Sequence, residues 1–166
     1  LVAALLYGYA AHPLVQIDAR VRALAKEEKV RILDEYLKRR GPHDQPLRAL
    51  EHLTYTFDIL VDFGAYRDIQ RHRMVTQTPQ ETTALHGYGT PPEIERYGLT
   101  DAYRVRMDEA AAAYAAIAAD LPREAQYVLP LAYKKRALFT WNLRVIHHFV
   151  QLRSSRQVHE AYRRIA

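Results

Sequence analysis

The sequence predicts an α+β domain, a mixed sheet flanked by helices, and three patterns carry that reading. Residues 52–62 alternate: Leu53, Tyr55, Phe57, Ile59 and Val61 point one way and His52, Thr54, Thr56, Asp58 and Asp62 the other, with Leu60 out of register. That two-residue period belongs to a half-buried strand. Residues 131–141 repeat it less cleanly, with Leu131, Tyr133, Ala137, Phe139 and Trp141 opposed to Lys134, Arg136 and Thr140, and Lys135 and Leu138 as exceptions. Helical patterns fill much of the rest, most plainly over 27–40 and over the Ala-rich stretch 101–120.

Taken in order, residues 1–11 form a short helix interrupted by His12 and Pro13. The run is too short to span a membrane and no basic region precedes it, so it reads as core rather than as a signal peptide. Residues 14–24 mix apolar and charged side chains. Over 27–40, Val30, Ile32, Leu33, Tyr36 and Leu37 cover one side of a helix. Lys38, Arg39 and Arg40 favour its C-terminal end, Gly41-Pro42 stops it, and a loop runs to Pro46. After the first strand, residues 63–73 are helical; residues 76–92 form a polar loop broken by Gly87, Gly89, Pro91 and Pro92. Thr100 caps the helix 101–120, which carries Tyr103, Met107, Tyr114 and Ile117. Pro122 opens a short helix ending near Leu129-Pro130. Residues 142–153 form a helix after the second strand, and 156–165 a last one. The missing initiator Met fits a single domain, residues 1–166, belonging to a longer chain.

A chain of 166 residues supports one domain with its own core. Its 49% hydrophobic and 26% charged residues are ordinary for a soluble protein. A net charge of +5 suits a small anionic ligand such as a nucleotide or flavin phosphate. It is too mild and dispersed for a nucleic-acid duplex, and no membrane partner is implied. The absence of cysteine excludes disulfides, thiolate zinc sites and a cysteine nucleophile, and suits a reducing cytoplasm. His147 and His148 are adjacent, so on a helix their rings diverge by about 100°, and with no carboxylate at ligand spacing they make no metal site.

Two stretches carry chemistry. Arg71-His72-Arg73 sets two fixed charges and a titratable ring where a helix gives way to a polar loop. That is a candidate anion site, although the tripeptide by itself also reads as a solvated basic turn. Arg71 and Arg73 are two apart, so a regular helix sends them to nearly opposite faces; either they grip different molecules or the helix ends there. The second stretch follows the second strand. Asn142, Ile146, Phe149 and Arg153 share one helical face, and Arg144 and His148 share another. An Arg beside Ile and Phe is partly desolvated and calls for an anion or acceptor. The other reading is that Arg153 closes the helix C-terminus, where the dipole favours a cation.

These features together resemble the flavin-dependent thymidylate synthase (ThyX) family, over roughly Val21 to Tyr162. The motifs are Arg48-Ala49-Leu50-Glu51-His52 before the first strand, Thr54 to Phe57 within it, Arg71-His72-Arg73, Val128-Leu129-Pro130, Asn142-Leu143-Arg144 and Leu152-Arg153. The match is similar to the second ThyX-like domain of long tandem forms. The resemblance implies flavin-dependent C5-methylation of a uridine nucleotide. FAD is the implied cofactor, with methylenetetrahydrofolate and NADPH as co-substrates, and no cysteine nucleophile is needed. It implies that Arg71, His72, Arg73, Asn142, Arg144 and His148 hold FAD and that Arg153 acts catalytically on the pyrimidine nucleotide. It also implies a homo-oligomer, a tetramer in the family, or pairing with a sister ThyX-like domain.

The departures fall on the nucleotide half. In the family signature a Ser follows Arg-His-Arg after seven residues, with an Arg two later; here those positions hold Glu81 and Thr83. Another nucleotide-contacting Arg of the family is Gln126 here. Glu81 puts a carboxylate where the family places the dUMP phosphate. Three functions follow as expectations: methylation of dUMP, methylation of a different nucleotide, or a degenerate ThyX-like domain serving as an assembly or flavin-binding partner.

Overall fold

The computed structural model describes residues 1–41 and 43–154. The protein has the α+β class, with helices and one small three-stranded antiparallel sheet. It divides into two compact units, and the boundaries fall inside strands, after Tyr55 and after Thr140.

The first unit holds, among the described residues, 1–55 and 141–154. It opens with the helices α1 (Val2–Tyr7), α2 (Leu14–Ala23) and α3 (Lys26–Lys38). A 3₁₀ turn over Arg48–His52 leads into the first strand, so His52 lies in the turn and not in the strand, as the alternation had implied. α1 packs on α2 and on this turn. Val2, Leu5, Ile17 and Leu50 are buried there. The Glu28 carboxylate accepts the Ala25 N–H at 3.3 Å, half of a capping box that starts α3. α3 buries none of its residues: the stripe expected to face a core leaves Val30 and Leu37 exposed. Tyr36 on that stripe accepts the Leu47 N–H through its hydroxyl at 2.7 Å.

The second unit, residues 56–140 among those described, contains most of the sheet. β1 (Thr54–Asp62), β2 (Thr76–Pro79) and β3 (Lys134–Asn142) lie in the order β1-β3-β2. β2 runs antiparallel to β3 with Thr76 opposite Thr140 and Pro79 opposite Ala137. The polar stretch expected to be loop therefore contains a strand. Its Pro79 is tolerated because β2 is an edge strand and the last residue of its run. On β3 the buried residues are Lys135, Ala137, Phe139 and Trp141, so the alternation holds and Lys135 obeys it; Leu131 is exposed instead. β1 is the other edge, and Tyr55 and Phe57 stay 45% and 40% exposed on the side expected to be covered.

α4 (Phe63–Ile69) follows β1 directly, buries Tyr66 and Ile69, and sets the Tyr66 ring 6.2 Å from Phe139. The long helix α6 (Thr100–Ala118) begins at Thr100, with Leu99 rather than Thr100 as its cap residue. The short α5 (Pro92–Arg96) precedes it; Gly98, at φ +68°, makes the left-handed turn between them that a side chain resists. Met107 of α6 joins Leu129 and Tyr133 in a core ringed by Tyr88, Tyr103 and Tyr114. The Tyr133 hydroxyl donates to the Met107 carbonyl at 2.6 Å and the Tyr103 hydroxyl to the Gly89 carbonyl at 2.9 Å, so these rings bury their bodies without orphaning their oxygens. The short helix expected after Pro122 is a 3₁₀ turn over Glu124–Val128. In the first unit, α7 (Leu143–Arg153) follows β3. The helix expected over 156–165 lies outside the described residues, as does Pro42 at the end of the α3 region.

Candidate functional site

The Arg-His-Arg segment is positioned by where α4 stops. Asp62 caps the start of that helix by accepting the Ala65 N–H at 2.8 Å. Its last helical residue is Ile69, and Arg71 sits in the turn beyond it. The helix therefore ends before the tripeptide, which settles the geometric choice that spacing had left open. Arg71 is 72% exposed and pairs with Asp68 at 3.1 Å. The His72 carbonyl accepts from the Gln77 side chain at 3.2 Å, and the Gln70 carbonyl accepts from the same amide at 3.1 Å. Gln77 thus tethers the loop to the start of β2. Arg73 is exposed. Two guanidinium groups on a tethered loop match the donor chemistry that phosphate oxygens require.

The same unit carries the three positions where the sequence departs from the family signature. Gln126 donates to the Arg123 carbonyl at 2.8 Å, inside its own turn. The Thr83 hydroxyl accepts the Leu85 N–H at 3.3 Å. Glu81 is exposed, and next to it Thr82 is buried and accepts from the Lys135 ammonium at 3.0 Å.

The other set lies in the first unit, on α7. Asn142 is its cap: the side-chain carbonyl accepts the Val145 N–H at 2.9 Å, leaving the amide NH₂ to donate. Arg144 pairs with Glu51 at 2.7 Å, both half-buried. Glu51 also takes Arg48 at 3.0 Å. Hydrogen bonds from Arg48 and then Arg144 hold its carboxyl below the usual range. His148 is exposed and Arg153 half-buried on the last turn, on the side of Phe149, whose ring packs tilted against Trp141 with centres 4.6 Å apart. Among the described residues no cluster of His, Asp or Glu is placed to hold a metal. No described helix is long and apolar enough to cross a membrane.

The sequence matches the family described as thymidylate synthase complementing protein over residues 2–166. The chain belongs to that family. Its relatives include a UPF0159 protein of Chlamydia muridarum, 40% identical over all of this chain and 32% of the relative's length. A UPF0159 protein of Thermoplasma acidophilum is 32% identical over 90% of the chain and 31% of its own length. A flavin-dependent thymidylate synthase of Thermotoga neapolitana is 31% identical over 79% of the chain and 64% of its own length. The chain thus spans about a third of the UPF0159 proteins it matches.

Within this member of the complementing-protein family, sequence reasoning overlooked two long-range partnerships. Glu51 was legible only as part of a motif, yet it is the counter-charge of Arg144. Arg40 donates from Nη1 to His147 Nε2 at 3.3 Å and from Nη2 to the Asp44 carbonyl at 2.8 Å. Burial, then Arg40 and His148, holds the His147 ring below its ordinary pKa, so it meets Arg40 as a neutral acceptor. The signal for the first was the Glu51 of the pre-strand motif; nothing in spacing linked Arg40 to His147.

Proposed function

We propose that this chain is a flavin-binding ThyX-type enzyme domain that takes part in C5-methylation of a uridine nucleotide. The observation that carries this reading is the pair of exposed guanidinium groups, Arg71 and Arg73, on a loop tethered just past the end of α4, in a chain of this family. The similarity to a flavin-dependent thymidylate synthase supports the cofactor. FAD, when bound, supplies the hydride, with methylenetetrahydrofolate giving the methylene group and NADPH the reducing equivalents.

The chain's own residues would bind and orient. Arg71 and Arg73 would grip phosphate oxygens by paired N–H donors. The free amide NH₂ of Asn142 and the His148 ring would donate to flavin acceptors, and Glu51 would hold the Arg144 plane in one orientation for the same purpose. Arg153, half-buried beside the Phe149 face, would stabilise negative charge developing on the pyrimidine. We further propose a cytoplasmic protein that works as a homo-oligomer, or paired with a sister ThyX-like domain.

A second reading, a nucleotide other than dUMP, is favoured by Glu81, Thr83 and Gln126. None of the three offers a phosphate a cation, and Gln126 is turned to its own backbone. The test of the main reading is titration of FAD into wild-type protein and the variants Arg71→Ala and Arg73→Ala. Each variant is expected to lose about 1.5–3 kcal/mol of affinity, the range for hydrogen bonds to charged groups. Equal affinities in all three would reduce the Arg-His-Arg loop to a surface turn.

A further inference from the structure

Arg40 lies just past the end of α3 and reaches α7, where its Nη1 donates to His147 Nε2 at 3.3 Å. Both side chains are half-buried. Among the described residues this is the one side-chain hydrogen bond that joins residues 26–47 to α7. The other Arg40 donors stay local: Nη2 reaches the Asp44 carbonyl at 2.8 Å, and Nε is buried with no acceptor. A guanidinium carries donors only, so the contact exists only while Nε2 offers a lone pair. The His147 ring is therefore neutral, with its proton on Nδ1. A second proton, on Nε2, sets donor against donor and cation against cation.

The acids nearby are already engaged. α7 itself contributes Arg144, His148 and Arg153, all basic. The 3₁₀ turn packed on α7 carries Arg48, Glu51 and His52, and Glu51 accepts from both Arg48 and Arg144. At the end of α3, Lys38 and Arg39 share Glu35 at 3.7 and 2.7 Å. In the loop beside His43, the Asp44 carboxylate accepts the Gly41 N–H at 2.7 Å. A protonated His147 thus finds no counter-charge in place. Burial, then Arg40 and His148, already hold its pKa down.

What the contact ties down is the loop between α3 and Pro46, which is buried at the loop's far end. The loop's own bonds are short-range: the Arg40 N–H meets the Leu37 carbonyl at 3.2 Å and the Asp44 N–H the Gly41 carbonyl at 3.2 Å. α3 buries none of its residues, so the loop gains little hold from that side.

We propose that Arg40 and His147 form a proton-operated latch: the neutral ring ties this loop to α7, and a proton on the ring releases Arg40 and the loop with it. Release comes as pH falls below about 6.5, the ordinary histidine value, toward the lower value of the folded state. The latch stands on this contact and is independent of the ligand the chain binds.

Amide exchange of the full chain tests it, read near pH 7.5 and near pH 5, on either side of histidine titration, with rates corrected for the intrinsic pH dependence of exchange. The reporters are the Arg40, Gly41 and Asp44 amides. In wild type they are expected to lose at least about tenfold in protection at the lower pH, the scale of one hydrogen bond to a charged group. Their exchange there should ignore low denaturant, because a local opening exposes little surface. His147→Gln keeps an acceptor at similar reach and gains no proton, so its loop stays protected at both pH values. Arg40→Met is expected to be open at both, with the His147 pKa moved up toward its ordinary value; should it not fold, Arg40→Gln carries the same comparison. Reporters that ignore pH in wild type, or an equal loss in His147→Gln, overturn the proposal. So does exchange at the lower pH with the denaturant slope of the Phe149 amide, which is the mark of global unfolding. Nitrogen-15 spectra of the His147 ring give a separate reading: the proton is expected on Nδ1 at the higher pH, and a proton on Nε2 overturns the latch.

Discussion

At Asp62 and again at Asn142 a strand ends in a residue whose side chain caps the helix that starts one position later. The first cap is a carboxylate and opens a helix of 7 residues; the second is an amide and opens one of 11. The short helix stops early, so its basic residues fall in a loop where a guanidinium reaches solvent. The long helix keeps Arg144 and Arg153 inside regular structure, and one of them is held by Glu51. The same corner, followed by different helix lengths, makes an open cationic loop in one unit and a set of oriented donors in the other. Where a corner must offer an exposed grip or a fixed plane, helix length decides which it provides.

The comparison breaks most visibly in the packing behind each corner. Phe149→Ala removes a ring that is 1% exposed and packed tilted against Trp141, and is expected to cost about 3–5 kcal/mol in denaturant unfolding. Ile69→Ala, fully buried behind the first corner, is expected to cost about 2–5 kcal/mol. A Phe149→Ala loss below 1 kcal/mol would show that α7 is not anchored by that ring. Next come the caps. Asp62→Ala and Asn142→Ala should each cost about 0.5–2 kcal/mol, with Asp62 the larger because its charge also faces the positive end of a helix. Equal losses would remove the dipole's share.

A pH profile reports on the first unit, which holds both His147 and Glu51. The His147 pKa is lowered in the folded state, so below about 6.5, its unfolded value, the unfolded chain binds the extra proton. Stability should therefore fall as pH drops through 6.5 toward the folded pKa. His147→Asn should flatten that slope. Glu51 is also lowered, so its contribution is complete above the unfolded carboxylate range near 4.3 and disappears as pH falls further. Glu51→Gln should remove that lower limb and leave the one near 6.5. The smallest effect is expected at Arg71→Ala, whose exposed pair with Asp68 should be worth under about 1 kcal/mol to stability. A larger loss would give the loop a structural role as well as a binding one.

Both corners were legible in the sequence because each follows a strand with a two-residue period, and Asp or Asn before a helix has a definite physical use. The length of the first helix was not. Beyond Gly64 in the first turn, residues 65–73 contain nothing that breaks a helix; where the chain leaves it, Gln77 holds the Gln70 and His72 carbonyls from the start of β2. That strand was hidden as well, since Thr76, Gln77, Thr78 and Pro79 have no apolar face and owe their conformation to pairing with β3. The candidate site residues stand out as residue types, through their order along the chain. Their partners, Glu51 for Arg144 and Thr82 for Lys135, come from folding distant segments together, 93 and 53 positions apart. Local periodicity carries no information at that range.

α3 has a consequence in time rather than in energy. A helix that buries no side chain has little beyond its own backbone hydrogen bonds to keep it closed. Its amides should exchange with deuterated solvent well ahead of those of α7, which is anchored by Phe149, and a protease should nick it first. In an assembly that covers Val30 and Leu37, those same amides would slow. The exchange rate of this one helix would thus time any association that covers it.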